Sequence, residues 1–225
     1  IELISDNSKL TPDQVEHLEQ LVAEWRLLAD LSFADLVLWL PIRKDEKSWP
    51  EGYIAIAQIR PTTAATVFSN DLIGSTINWG SRPKIDQALS DGEIVRDTDP
   101  ELVGEIMIKE ESVPVIFEGN TLAVISRHRN ADLMRLPSKL ELNYREIAHK
   151  IFRMVTEGSF PIRNSIYNSE STPRVGDGLI RLDPNGVIFF ASPNARSALS
   201  RVGYQSEVEK QNLGEVFASL TKGNT

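Results

Sequence analysis

The side chains best suited to chemistry in this chain are three histidines, His17, His128 and His149, in a sequence without cysteine. Zinc and similar ions need clustered imidazole, thiolate or carboxylate donors, with paired ligands a few residues apart, and no two of these histidines are so spaced. Neither a metal centre, a thiolate nucleophile nor a disulfide framework is expected. On helical projection His17 and His149 lie away from the apolar seams of their helices, so both read as solvated. His128 differs, because Arg127-His128-Arg129 ends a buried-strand pattern. That would place three potential cations at the mouth of an anion-binding cavity; the alternative is an ordinary charged strand end.

Strand alternation supplies a second candidate. If Ile54, Ile56, Gln58 and Arg60 share one face, Gln58 and Arg60 are polar groups on an apolar surface near Trp39, which suits a small ligand. Alternatively, Arg60 merely emerges before Pro61 and Trp39 is core. Val175-Gly176-Asp177-Gly178 runs into a strand and does not open a helix, so it reads as a turn and not as a phosphate cradle. The sequence contains no Gly-x-Ser-x-Gly, Gly-x-x-x-x-Gly-Lys or His-Glu-x-x-His. No catalytic constellation is assembled.

The elements that must position these residues are legible in outline. Thr11-Pro12-Asp13-Gln14 is a helix start with a capping-box Gln, and Val15, Leu18, Val22, Trp25 and Ala29 continue it as one apolar stripe. Short β-branched and aromatic runs follow at Leu36–Leu40, Tyr53–Ile59, Thr66–Phe68, Ser75–Trp79, Val113–Phe117 and Thr121–Ser126, separated by turn signals, and read as an antiparallel sheet. Pro83–Leu89 reads as a short helix stopped by Gly92, and the acidic stretch from Asp97 to Glu111 as a surface loop. A second long helix opens at Ser138 and closes near Gly158. Along it Leu140, Tyr144, Ile147, Ile151 and Met154 form a heptad-like seam, which suits either packing within the chain or a homodimer interface.

Composition bounds the rest. With 225 residues, 24 Lys+Arg against 32 Asp+Glu and a net charge of −8, a direct nucleic-acid or anionic-membrane partner is not expected. The longest apolar run, Leu36–Ile42, contains Pro41 and is far short of the about 20 residues that span a bilayer. A cytoplasmic protein is expected. The polar stretch Arg163–Arg174 reads as a linker, giving three parts: residues 1–158, 159–175 and 176–225. In the last, Asp183-Pro184-Asn185-Gly186 is a hairpin turn and Ser192-Pro193 starts a helix reaching Leu199. About fifty residues is short for an independent fold, so this part reads as a domain completed by further residues or a partner.

Several runs resemble one family in order. They are Glu24-Trp25-Arg26-Leu27-Leu28-Ala29-Asp30-Leu31-Ser32-Phe33-Ala34-Asp35, Ser112-Val113-Pro114-Val115, Val124-Ile125-Ser126-Arg127-His128, Glu157-Gly158-Ser159-Phe160-Pro161, Pro173-Arg174-Val175-Gly176-Asp177-Gly178-Leu179-Ile180-Arg181-Leu182-Asp183, and Ala191-Ser192-Pro193-Asn194-Ala195. The chain is thereby similar to the actinobacterial cytosolic sensor histidine kinases of the PdtaS type. The resemblance implies an α+β fold: a GAF-like antiparallel sheet with flanking helices, then the first part of a PAS domain. It further implies a sensor for an unknown small-molecule signal, regulating a two-component kinase that passes phosphoryl groups to a cognate response regulator. ATP and Mg would belong to the kinase domain of the parent chain, with no cofactor in this fragment. No histidine here matches the family's phosphoacceptor motif. The rival reading is a dimerisation scaffold that binds no ligand.

Overall fold

Thr11 caps the first helix, α1 (Pro12–Ser32), through the reciprocal bonds its spacing predicts: Gln14 N donates to Thr11 Oγ1 at 3.4 Å and Thr11 N donates to Gln14 Oε1 at 2.9 Å. The helix ends at Phe33, whose φ of 53° is left-handed, a conformation that side chains adopt at some strain. Packing holds it there, with Tyr144 stacked at 6.3 Å and the Arg145 guanidinium 5.8 Å from the Phe33 ring.

In this computed structural model, residues 4, 8–45, 48–96, 99–103, 105–131, 136–162 and 174–222 are described. The chain divides into two units, Ile1–Thr172 and Pro173–Thr225. The expected linker falls largely on 163–173, outside the described residues.

The first unit is built on an antiparallel sheet of seven strands: β1 (Asp35–Ile42), β2 (Gly52–Ile59), β3 (Thr76–Asn78), β4 (Val95–Arg96), β5 (Glu101–Val103), β6 (Ile106–Phe117) and β7 (Asn120–Asn130). Their order is β3-β2-β1-β7-β6-β4, with β5 also paired to β6. Helix α2 (Pro83–Asp91) packs on β6 and β7, while α3 (Lys139–Thr156) packs on α1 and β6. Strand alternation separates two cores. Val37, Trp39, Tyr53, Ala55 and Val124 meet Ile85, Ala88 and Leu89 of α2; Leu36, Leu38 and Leu40, the alternate residues of β1, are fully buried on the opposite side.

Four expectations change. Thr66–Phe68 is a loop and not a strand. The acidic stretch is largely sheet, because β6 begins at Ile106 and carries Glu110 and Glu111 within it. Its carboxylates are tolerated because Arg82 and Arg96 reach them. His17 is buried, 3% exposed, with its ring 4.6 Å from that of Phe117. The core stripe of α1 is Leu18, Leu21, Trp25 and Leu28, rotated toward His17, which sits four residues before Leu21. Finally, the expected seam of α3 is not its buried face: Tyr144, Ala148, Phe152 and Val155 are buried, whereas Leu140, Ile147, Ile151 and Met154 are only half-buried.

The second unit has a hairpin, β8 (Ile180–Leu182) with β9 (Ile188–Ala191), then α4 (Pro193–Arg201) and α5 (Leu213–Lys222). Ile188, Ala191, Ala195, Leu199, Val208 and Val216 form its core. Gly178 is required where the chain enters β8: its φ is 111°, and a Cβ there would stand 2.8 Å from Ala195 N.

Candidate functional site

The α2-covered face of the sheet becomes polar toward one end, in two transverse rows. Gln58, Val37, Ser126 and Ser112 pair in sequence across β2, β1, β7 and β6, and Asp35, His128 and Glu110 pair across β1, β7 and β6. Paired residues project to the same side of an antiparallel sheet. Gln58 reaches this side through a bulge at Ile56: Leu38 pairs with Ala57 but Trp39 with Ala55. Simple alternation, which would put Ile54, Ile56, Gln58 and Arg60 on one face, is therefore broken, and Gln58 shares the Trp39 side while Ile54, opposite Leu40, does not.

Trp39 Nε1 donates to Ser126 Oγ at 2.8 Å, and Ser126 Oγ lies 2.9 Å from His128 Nε2. With its oxygen already accepting from the indole, Ser126 can give its own proton to Nε2, which puts the proton of a neutral ring on Nδ1. Phe68 closes on the His128 ring edge-on at 4.7 Å. Trp39 and His128 thus share one network, whereas Arg60 and Arg127 are used elsewhere. Arg60 is tied to the loop after β2, donating to Phe68 O at 3.3 Å, Asn70 O at 3.0 Å and Asp71 Oδ1 at 2.8 Å. Gln58 Oε1 holds the same loop by accepting from Leu72 N at 2.6 Å.

Arg127 is opposite Leu36, so it projects to the α3 side. It lies 3.0 Å from Glu111 Oε2 and 5.3 Å from the centre of the Phe152 ring. Burial lowers its guanidinium from the ordinary value, and Glu111 opposes that shift. Arg129 is also lowered, by burial first and then by Arg145 and Arg127. The three expected cations of Arg127-His128-Arg129 therefore do not converge, because a strand sends neighbours to opposite faces.

His128 instead lines a cleft of about 380 Å³ with Phe68, Arg82, Lys84, Glu101 and Glu110. Arg82 reaches both carboxylate oxygens of Glu110 at 3.0 Å, and Lys84 lies 3.5 Å from Glu101. These four charged residues escape sequence reasoning because the acidic stretch reads as a loop, which leaves Arg82 and Lys84 with nothing to face. A usable signal is present: from Ile106 to Val113 no Gly, Pro or Asn interrupts the chain. Among the described residues no group of three or more His, Asp or Glu side chains is arranged to hold a metal ion, and no helix is long and apolar enough to cross a membrane.

Asp35 fastens the floor of this face to the same loop, accepting from Thr66 Oγ1 and from Val67 N at 2.8 Å. Burial raises its carboxyl above the ordinary 3.8, with these hydrogen bonds and Arg60 offsetting part of the rise. A raised folded-state pKa means a contribution to stability that is fully present at low pH and lost as pH rises through the raised value. Charged Asp35 therefore weakens the fold at neutral pH. Asp35→Asn can keep both bonds, accepting from Val67 N and donating to Thr66 Oγ1, which itself donates to Phe68 O at 3.1 Å. The variant should match or exceed the parent in urea midpoint near neutral pH, with the difference shrinking on acidification to about pH 4; a midpoint deficit near neutral pH would refute this.

Known proteins match the chain along nearly its whole length. The family model described as histidine kinase PdtaS, GAF domain, matches residues 1–148. The sensor histidine kinase PdtaS of Mycolicibacterium smegmatis is 38% identical over 222 residues, covering 97% of this chain and 43% of that protein. Its namesake from Mycobacterium tuberculosis is 38% identical over 216 residues, covering 94% of this chain and 42% of that protein. The chain spans less than half the length of these relatives. A solved structure described as the sensor region of a sensor histidine kinase superposes with a TM-score of 0.81 at 33% identity, over 99% of this chain and 78% of the other.

Proposed function

This chain belongs to the family of the histidine kinase PdtaS GAF domain, and on that premise we propose that its first unit reads a small-molecule signal in the Arg82–Glu110–His128 cleft and passes the outcome along α3. It corresponds to the sensor region of a histidine kinase. In the proposal the second unit is the opening of a PAS domain, supported by its hairpin-then-helix order. The parent chain would carry the ATP- and Mg-dependent kinase, act in the cytoplasm, and serve a cognate response regulator.

One observation carries the reading. On β7, His128 faces the cleft and its neighbour Arg127 faces α3, where it meets Glu111 and Phe152. A ligand that shifts the strand at His128 must also move the guanidinium that packs on the helix. The energy required is modest: a ligand favouring one of two states 100-fold contributes about 2.7 kcal/mol.

Ile147→Asp with Ile151→Asp in the full-length kinase places two charges on the half-buried flank of α3. Autophosphorylation should change several-fold while circular dichroism stays that of the parent; unchanged activity in a folded variant would remove α3 as the transmitter. The scaffold reading has its own support, since Leu140, Ile147, Ile151 and Met154 leave that flank only half-covered within the chain. Sedimentation separates the two: a dimer dissociated by the aspartates, with no ligand response, favours the scaffold.

A further inference from the structure

The cleft holds charges of both signs on opposing walls. Arg82 and Lys84 come from the start of α2, while Glu110 stands on β6 and Glu101 on β5. A purely anionic ligand would meet the two carboxylates, and a purely cationic one the guanidinium and ammonium groups. A molecule bearing both charges complements both walls.

We infer that the cleft takes a small zwitterion, a free α-amino acid with an apolar side chain, its carboxylate beside Arg82 and Lys84 and its ammonium beside Glu110. This rests on the cleft being the signal pocket. At about 380 Å³ the cleft is at the small end of the roughly 300–1,000 Å³ of ligand sites. The first residues of α2 line it, and that helix has no side-chain cap, so the positive end of its dipole adds to the pull on a carboxylate. Phe68, Pro83, Ile108 and Val103 supply apolar wall for the side chain.

The internal ion pairs do not oppose this occupant. Arg82 presents a single nitrogen to Glu110 and is 39% exposed against 12% for that carboxylate, and Lys84, 26% exposed, is a loose 3.5 Å from a Glu101 that is 69% exposed. With one partner of each pair open to water, these pairs hold less tightly than fully buried ones. The ligand's own charges can exchange into them at small cost, with each cation and each carboxylate on the walls still partnered.

The test is calorimetric titration of the 225-residue chain with L-phenylalanine and L-leucine, with 3-phenylpropionate (no ammonium), with phenethylamine (no carboxylate), and with inorganic phosphate. The two amino acids should bind, and either single-charge analogue should bind about ten-fold or more weakly. Glu110→Gln should weaken L-phenylalanine but not 3-phenylpropionate, and Arg82→Gln should weaken L-phenylalanine but not phenethylamine. Equal binding of L-phenylalanine and 3-phenylpropionate, or tighter binding of phosphate that Glu110→Gln improves, overturns the zwitterion assignment while the cleft stands as a ligand site. If no probe binds, and both variants leave autophosphorylation of the full-length kinase unchanged, the signal-pocket reading falls with it.

Discussion

Phe152→Ala is expected to destabilise the first unit by about 3–5 kcal/mol, the range for truncating a fully buried phenylalanine. The ring is 1% exposed, at the centre of the face α3 turns inward, with Tyr144, Ala148 and Val155 along the same stripe. It also bears the Arg127 guanidinium at 5.3 Å. Removing it opens a cavity and strips that cation of its aromatic support, and the two losses add. All four tryptophans, Trp25, Trp39, Trp49 and Trp79, lie in the first unit, so fluorescence reports its unfolding without contribution from the second. With a urea slope of about 1–3 kcal/mol per molar, the midpoint should fall by more than about 1 M. Leu142→Ala, on the exposed side of the same helix, should change stability by no more than about 0.5 kcal/mol. Similar losses from the two substitutions would mean that α3 is not docked as described.

The contrast between those two residues also marks what the sequence could and could not disclose. Helix starts were legible because their bonds are local: Thr11 and Ser138 each meet a partner three residues on. Strands β1 and β7 were legible because both their faces are buried, which leaves unbroken apolar runs. The buried face of α3 was not, since its Leu140–Met154 seam and its Tyr144–Val155 stripe are adjacent on the helix surface, and only the position of α1 and β6 chooses between them. The beginning of β6 was hidden for a related reason. Lys109-Glu110-Glu111 looks solvated until Arg82, Arg96 and Arg127, all distant in sequence, are brought alongside. Similarly, the bulge at Ile56 belongs to the pairing of β1 with β2 and not to either strand alone. The cleft depends on these non-local features, so the one residue of it that the sequence offered was His128, conspicuous for its composition and not for its neighbours.

Glu111 is where the second large effect should appear. Its side chain is 8% exposed on β6, 2.5 Å from Arg96 Nε and 3.0 Å from a terminal guanidinium nitrogen of Arg127. Glu111→Ala leaves Arg127 beneath α3 without its counter-charge, and removing one partner of a buried pair costs about 3–5 kcal/mol. Arg96→Ala should cost much less, no more than about 1 kcal/mol, because that guanidinium is 51% exposed and water replaces what it loses. Arg96 also donates to His149 Nδ1 at 3.1 Å. The decisive variant is the double replacement Glu111→Ala with Arg127→Met. If the loss in Glu111→Ala comes from a stranded charge, removing both charges should recover most of it; if it comes from lost packing around β6, the double variant should be no better than the single one. Tryptophan-detected urea unfolding distinguishes these outcomes. Recovery of stability would also separate folding from signalling. Under the proposed function, a parent chain carrying the double replacement that is stable, yet whose autophosphorylation no longer responds to a cleft ligand, would support the proposed route from His128 through the Arg127–Glu111 contact to α3.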